Sequence, residues 1–204
     1  DFVRPKRTRM KQFSMVLACL SLIIVGCQGD FVPKPKAYVR IDLPEPSYIA
    51  PDTNSWDCPY TFEASRYSYL TVDKRHRSKP CWYNIYYPKF DATIHLTYSK
   101  IDGDLVTQIE DNRKLAMKHV TKATAINESR IENNTSRVFG LIYEFKGETA
   151  SDMQFFVTDS TSHFLRGSLY FNIKPNKDSL APVIDYVKGD IKHLVESLRW
   201  TSDA

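Results

Sequence analysis

Glycine is scarce in this chain, seven among 204 residues, and no GxGxxG or GxxxxGKS/T stretch occurs. Loops that cradle phosphate need closely spaced glycines, so nucleotide-binding folds are set aside. A GxSxG nucleophile elbow is missing too. The five histidines, His76, His95, His119, His163 and His193, stand singly, with no HExxH, no HxH and none beside a cysteine. A metal centre needs ligands brought together at short spacing, so none is assigned, and the histidines read as surface or boundary residues.

Charge of one sign is also lacking once the chain is divided. The formal net charge is +4, but residues 1–26 hold five basic residues (Arg4, Lys6, Arg7, Arg9, Lys11) and one acid (Asp1), leaving 23 of each sign in the other 178 positions. A neutral body has no broad positive field for a phosphate backbone, which argues against nucleic acid as a partner. No apolar run is long enough to span a bilayer. The stretch over residues 13–26 falls short of the roughly 20 residues that about 30 Å of hydrocarbon requires.

That short stretch, preceded by basic residues, reads as a removable export signal, with Met10-Lys11-Gln12-Phe13 as its beginning. It ends in Ile24-Val25-Gly26-Cys27, branched apolar, branched, small and then a thiol, which is the pattern of a bacterial lipoprotein signal. The expected layout is a signal over 1–26, a lipidated proline-rich tether over 27–57 beginning at acylated Cys27, and one α+β domain over 58–204. Pro33, Pro35, Pro44, Pro46 and Pro51 keep the tether extended. Its dense segment, residues 32–44, is expected to dock, on the domain or on a partner.

Cys19 leaves with the signal and Cys27 takes the lipid, so Cys58 and Cys81 remain. In an oxidising envelope two thiols suggest one disulfide, worth about 3 kcal/mol on the chain-entropy model, with two separate buried thiols as the alternative.

Beyond Cys58 the pattern is alternation at period two, clearest in Thr93-Ile94-His95-Leu96-Thr97-Tyr98. Similar strands are expected over 67–72, 82–87, 138–145, 154–158 and 163–171, joined by short polar links that favour antiparallel pairing. Two helices interrupt them. One is expected over 105–123, with Leu105, Ile109, Ala116 and Val120 as its stripe and Asp102 or Asp104 as its cap. The other is expected over 179–198, capped by Asp178 or Ser179, with Pro182 in its first turn and a broad stripe from Leu180 to Leu198. Strands with an inserted and a closing helix imply an α+β fold, an antiparallel sheet flanked by helices.

The carboxylates Glu110-Asp111 and Glu144 with Glu148 are available in pairs, but sequence spacing says nothing about the distance between them. No catalytic residue, cofactor or small-molecule substrate is assigned. Tyr60, Phe62, Tyr67, Tyr69, Tyr83, Tyr86 and Tyr87 offer a stacking platform if exposed, which keeps a glycan- or peptide-binding module as the alternative function. Trp82 and Tyr83 are expected in the core. Candidate partner contacts are Lys34, Lys36, Tyr38 and Arg40 in the tether, and Arg75 and Arg77 in the basic run 74–79.

These residues converge on a resemblance. Cys27, residues 31–44, Asp57-Cys58-Pro59-Tyr60-Thr61-Phe62, Lys79-Pro80-Cys81-Trp82, Thr93-Ile94-His95-Leu96-Thr97-Tyr98, Glu110-Asp111-Asn112-Arg113-Lys114-Leu115-Ala116 and residues 154–171 together resemble gliding motility lipoproteins of the GldD type. Ala37 stands where that family would place glycine. The resemblance implies a noncatalytic outer-membrane lipoprotein of Bacteroidota, on the periplasmic face or the cell surface. It also implies a requirement in gliding and partners among the gliding and type IX secretion envelope proteins. The layout of the later part is similar to the Mog1/PsbP-like α/β/α sandwich, an analogy of fold that carries no function.

Overall fold

The alternating segments pair into a seven-stranded antiparallel sheet in a computed structural model that describes residues 41–51, 57–72, 81–172 and 177–201. In chain order the elements are β1 (Tyr48–Ile49), β2 (Tyr60–Thr61), β3 (Ala64–Ser65), β4 (Tyr69–Val72), β5 (Tyr83–Tyr87), β6 (Ala92–Lys100), α1 (Leu105–Met117), β7 (Ala123–Asn133), β8 (Val138–Gly147), β9 (Met153–Thr158), β10 (His163–Phe171), α2 (Lys177–Ser197) and β11 (Arg199–Trp200). The sheet runs β4-β5-β6-β10-β9-β8-β7, and two short ladders, β1-β3 and β11-β2, lie outside it.

Period two decides which helix each side chain meets. On β9, Met153, Phe155 and Val157 join Val183, Val187, Ile191 and Leu194 of α2 in one core cluster. Phe156, pointing the other way, joins Phe164, Tyr143, Phe145 and Ala116 of α1 in a second. The sheet is therefore covered on both faces, and β9 is buried at all six positions. This is the α+β arrangement expected from the order of elements.

Three local readings are corrected. The first helix stops at Met117, and residues 119–123 turn instead through short bonds such as His119 N–H to the Ala116 carbonyl and Lys122 N–H to the His119 carbonyl. Val120, expected on the buried stripe, is 51 % exposed as a result. Asp104 stands at the N-cap without capping through its side chain; its Oδ1 accepts from the Asp102 N–H and from Gln108 Nε2. Pro182 is the sixth residue of α2, two positions deeper than expected, where its missing N–H removes a helical hydrogen bond.

Strand β7 was not legible as a strand. It pairs along β8 from Ala123 opposite Gly147 to Asn133 opposite Val138, yet most of its residues are exposed. An edge strand is held by backbone bonds on one side, so alternation of apolar residues is weak there.

Residues 41–51, read from sequence as the end of the tether, are built into the folded body. Ile41 and Leu43 pack against the α2-side core, Lys89 Nζ donates to the Asp42 carbonyl at 2.8 Å, and β1 pairs with β3. The docking segment thus ends on the domain itself.

Candidate functional site

Seven of the residues singled out in the sequence, Cys27, Lys34, Lys36, Tyr38, Arg40, Arg75 and Arg77, lie outside the described residues. Cys58 and Cys81 are joined by a disulfide. Around it, Tyr60 donates its hydroxyl to the Cys81 carbonyl at 2.9 Å, and Trp82 Nε1 donates to the Tyr98 carbonyl at 2.8 Å. The bridge thus links the β11-β2 ladder to the start of β5. Trp82 is partly buried, and Tyr83 packs against the core.

The seven candidate platform aromatics do not form one surface. Tyr60, Phe62 and Tyr87 are core residues, while Tyr67 and Tyr69 are exposed at 41 % and 65 %. Alternation put half of each strand inside.

The four described histidines each meet a different partner. His95 Nδ1 meets Asn84 Oδ1, Gln154 Nε2 donates to His119 Nε2, Tyr98 Oη meets His163 Nδ1, and His193 Nε2 meets Glu63 Oε2. His163 is more buried than the surface or boundary reading expected, and its ring stacks on Trp200 with centroids 5.2 Å apart. One carboxylate of each pair is engaged by lysine. Asp111 pairs with Lys114, and Glu144 lies between Lys188 and Lys192 of α2 at 3.5 and 2.9 Å.

One polar centre is buried under the N-terminal arm. Asp190 of α2 accepts from the Tyr48 hydroxyl at 3.0 Å and the Tyr87 hydroxyl at 3.1 Å. Burial raises its carboxyl above the usual range, and the two hydroxyls only partly offset this. The same burial, with the Asp190 charge, pushes the Tyr48 phenol up to about 12. Tyr48 also stacks on His193, centroids 3.6 Å apart. This cluster fastens the entering chain to α2.

A second polar feature opens to solvent. Between α1 and strands β6 and β10 lies a cleft of about 440 Å³, lined among others by Trp82, Lys100, Asp111, Asn112 and Arg166. Asn112 is 2 % exposed, and neither its amide nitrogen nor its oxygen has a partner. Arg166 Nε is buried and unpartnered as well, while its Nη2 reaches Gln154 Oε1 at a long 3.4 Å. Among the described residues no carboxylate pairs with Arg166.

Sequence reasoning missed Asn112, Arg166 and Asp190. A signal existed for each: a polar residue on an apolar stripe or in an apolar strand. Leu105, Ile109, Asn112 and Ala116 follow helical spacing, and Arg166 interrupts the run from His163 to Phe171.

The build is an α/β/α sandwich stapled by the Cys58–Cys81 disulfide. The chain belongs to the gliding motility lipoprotein GldD family, whose model matches residues 28–200. No curated protein matches it. Among solved structures it is similar to cyanobacterial PsbP from Synechocystis sp. PCC 6803, at 11 % identity and a TM-score of 0.43, over 79 % of this chain and 97 % of that one.

Proposed function

We propose that this gliding motility lipoprotein is a noncatalytic, lipid-anchored part of the outer membrane that positions its domain for partners in the gliding and type IX secretion machinery. Membership of the GldD family over residues 28–200 carries the reading. The signal ending in Cys27 supplies the anchor, since each buried methylene of an acyl chain contributes about 0.8 kcal/mol and two chains make attachment persistent. Force transmitted along the tether would reach the domain where Ile41, Leu43 and Tyr48 are seated on the core and on α2. Lys34, Lys36, Tyr38, Arg40, Arg75 and Arg77 are the proposed partner contacts.

The test is Cys27→Ser in the native organism. Fractionation should find the variant released from the outer membrane, and spreading of colonies by gliding should cease. Normal gliding by a released protein would overturn the anchoring role. Charge reversal at Arg75 and Arg77 should weaken crosslinking to envelope partners without releasing the protein.

A further inference from the structure

We propose that the cleft between α1 and the sheet binds a chain end carrying a carboxylate one carbon from an amide, as the terminus of a peptide does. Two residues that the fold does not need place the site there. Asn112 holds a core position of α1, between Ile109 and Ala116, and is buried with both amide atoms unpartnered. An unsatisfied buried amide is destabilising, whereas an apolar residue at the same point would add packing. Arg166 lies on the same face of the sheet as Phe164 and Phe156, with Nε unpartnered and, among the described residues, no carboxylate in an ion pair with it. A partly buried guanidinium without a counter-ion is unfavourable by itself and is relieved by an incoming anion.

The donor set states what that ligand is. A guanidinium matches a carboxylate in planar, two-point fashion. The Asn112 amide offers one donor and one acceptor, the complement of a peptide unit. A cleft of about 440 Å³ holds a group of a few residues at most, with the Trp82 side for an apolar contact. Asp104 and Asp111 lie on the lining with Lys100, so a dianion such as phosphate meets about twice the repulsion that a single carboxylate does.

Calorimetric titration of the full chain tests this with N-acetyl-Ala-Ala in L,L and D,D forms, the C-terminal amide of each, and inorganic phosphate. At least one acid form should bind, with its amide at least tenfold weaker. Preference for L,L assigns the ligand to protein chain ends, and preference for D,D to cell-wall peptides. Arg166→Met and Asn112→Leu should each lose at least tenfold in affinity, while Asn112→Leu melts no lower than the wild type. Failure of both acids to bind the wild type would overturn the proposal. So would equal binding of acid and amide, phosphate binding as tightly as the acid, or wild-type affinity in the folded variants. The wild-type titrations decide the matter even if Arg166→Met does not fold.

Discussion

Tyr87 and Asp190 stand 103 positions apart, and the tyrosine hydroxyl donates to Asp190 Oδ2 at 3.1 Å inside the protein, both residues being almost wholly buried. With Tyr48 on the other oxygen, one carboxylate joins β5, α2 and the arm that leads back toward the N-terminus. Burial holds the Asp190 carboxyl above its ordinary range, so the folded protein binds this proton more tightly than the unfolded chain. That contribution to stability is complete below the unfolded carboxyl pKa and is lost as pH rises through the folded one. Asp190→Asn should therefore flatten this part of the stability profile and stay within about 1 kcal/mol of wild type at neutral pH. Asp190→Ala, which leaves the Tyr87 hydroxyl without its acceptor, should cost about 2 kcal/mol. Melting curves across pH 3–8 check both, pH 3–8 being roughly the carboxylate-to-neutral range.

Asp159 runs in the opposite sense. Burial alone would raise its carboxyl, but the backbone N–H groups of His163, Ser162 and Thr161 and the Thr161 hydroxyl outweigh burial and hold it at about 2. Its stabilisation is present above the unfolded carboxyl pKa of about 3.9. It disappears as pH falls toward the folded value of about 2. Asp159→Asn should lower stability at neutral pH by about 1–2 kcal/mol and remove this acid-side loss, as measured by urea denaturation at pH values on either side of that window.

The Cys58–Cys81 bridge ties the residue two places before β2 to the residue two places before β5. Neither thiol should react with a maleimide in the native protein until reductant is added. Replacing both cysteines by serine should reduce unfolding stability by about 3 kcal/mol, read from the denaturation midpoint.

Gly140 marks a close approach of β8 to β9. A Cβ there would fall on the Phe156 carbonyl oxygen, a backbone atom that cannot rotate away. Gly140→Ala should destabilise by about 1–3 kcal/mol and lower the thermal midpoint, because either the ladder or the side chain must shift. At Gly189, where nothing lies within 4 Å of an added Cβ, alanine should be tolerated or slightly stabilising, since it improves helix propensity.

Strong local patterns carried much of the architecture. The period-two run at 93–98 became part of β6, the span His163–Phe171 is the whole of β10, and the stripe from Val183 to Leu198 is the buried face of α2 and the residue after it. Where one face of an element is buried, its apolar residues must recur at the element's own period, so the pattern can be read without the fold. β7 escaped because an edge strand answers to backbone pairing more than to burial, and α1 was drawn too long because Val120 continues the helical spacing that the chain abandons at the turn into β7. The candidate partner residues Lys34, Lys36, Tyr38, Arg40, Arg75 and Arg77 rest on composition and lie outside the described residues.

Order along the chain was enough to point to a lipoprotein signal before Cys27 and to give a neutral body, two cysteines for one bridge and an antiparallel α+β layout, because each depends on neighbours in sequence or on a total count. Tertiary structure alone brought Tyr48 and Tyr87 to Asp190, and set Asn112 and Arg166 on facing elements around one cleft. Contacts of that kind join residues tens of positions apart, and what a polar side chain does is decided by the water it loses and the partners it finds or lacks there, neither of which is written in local spacing.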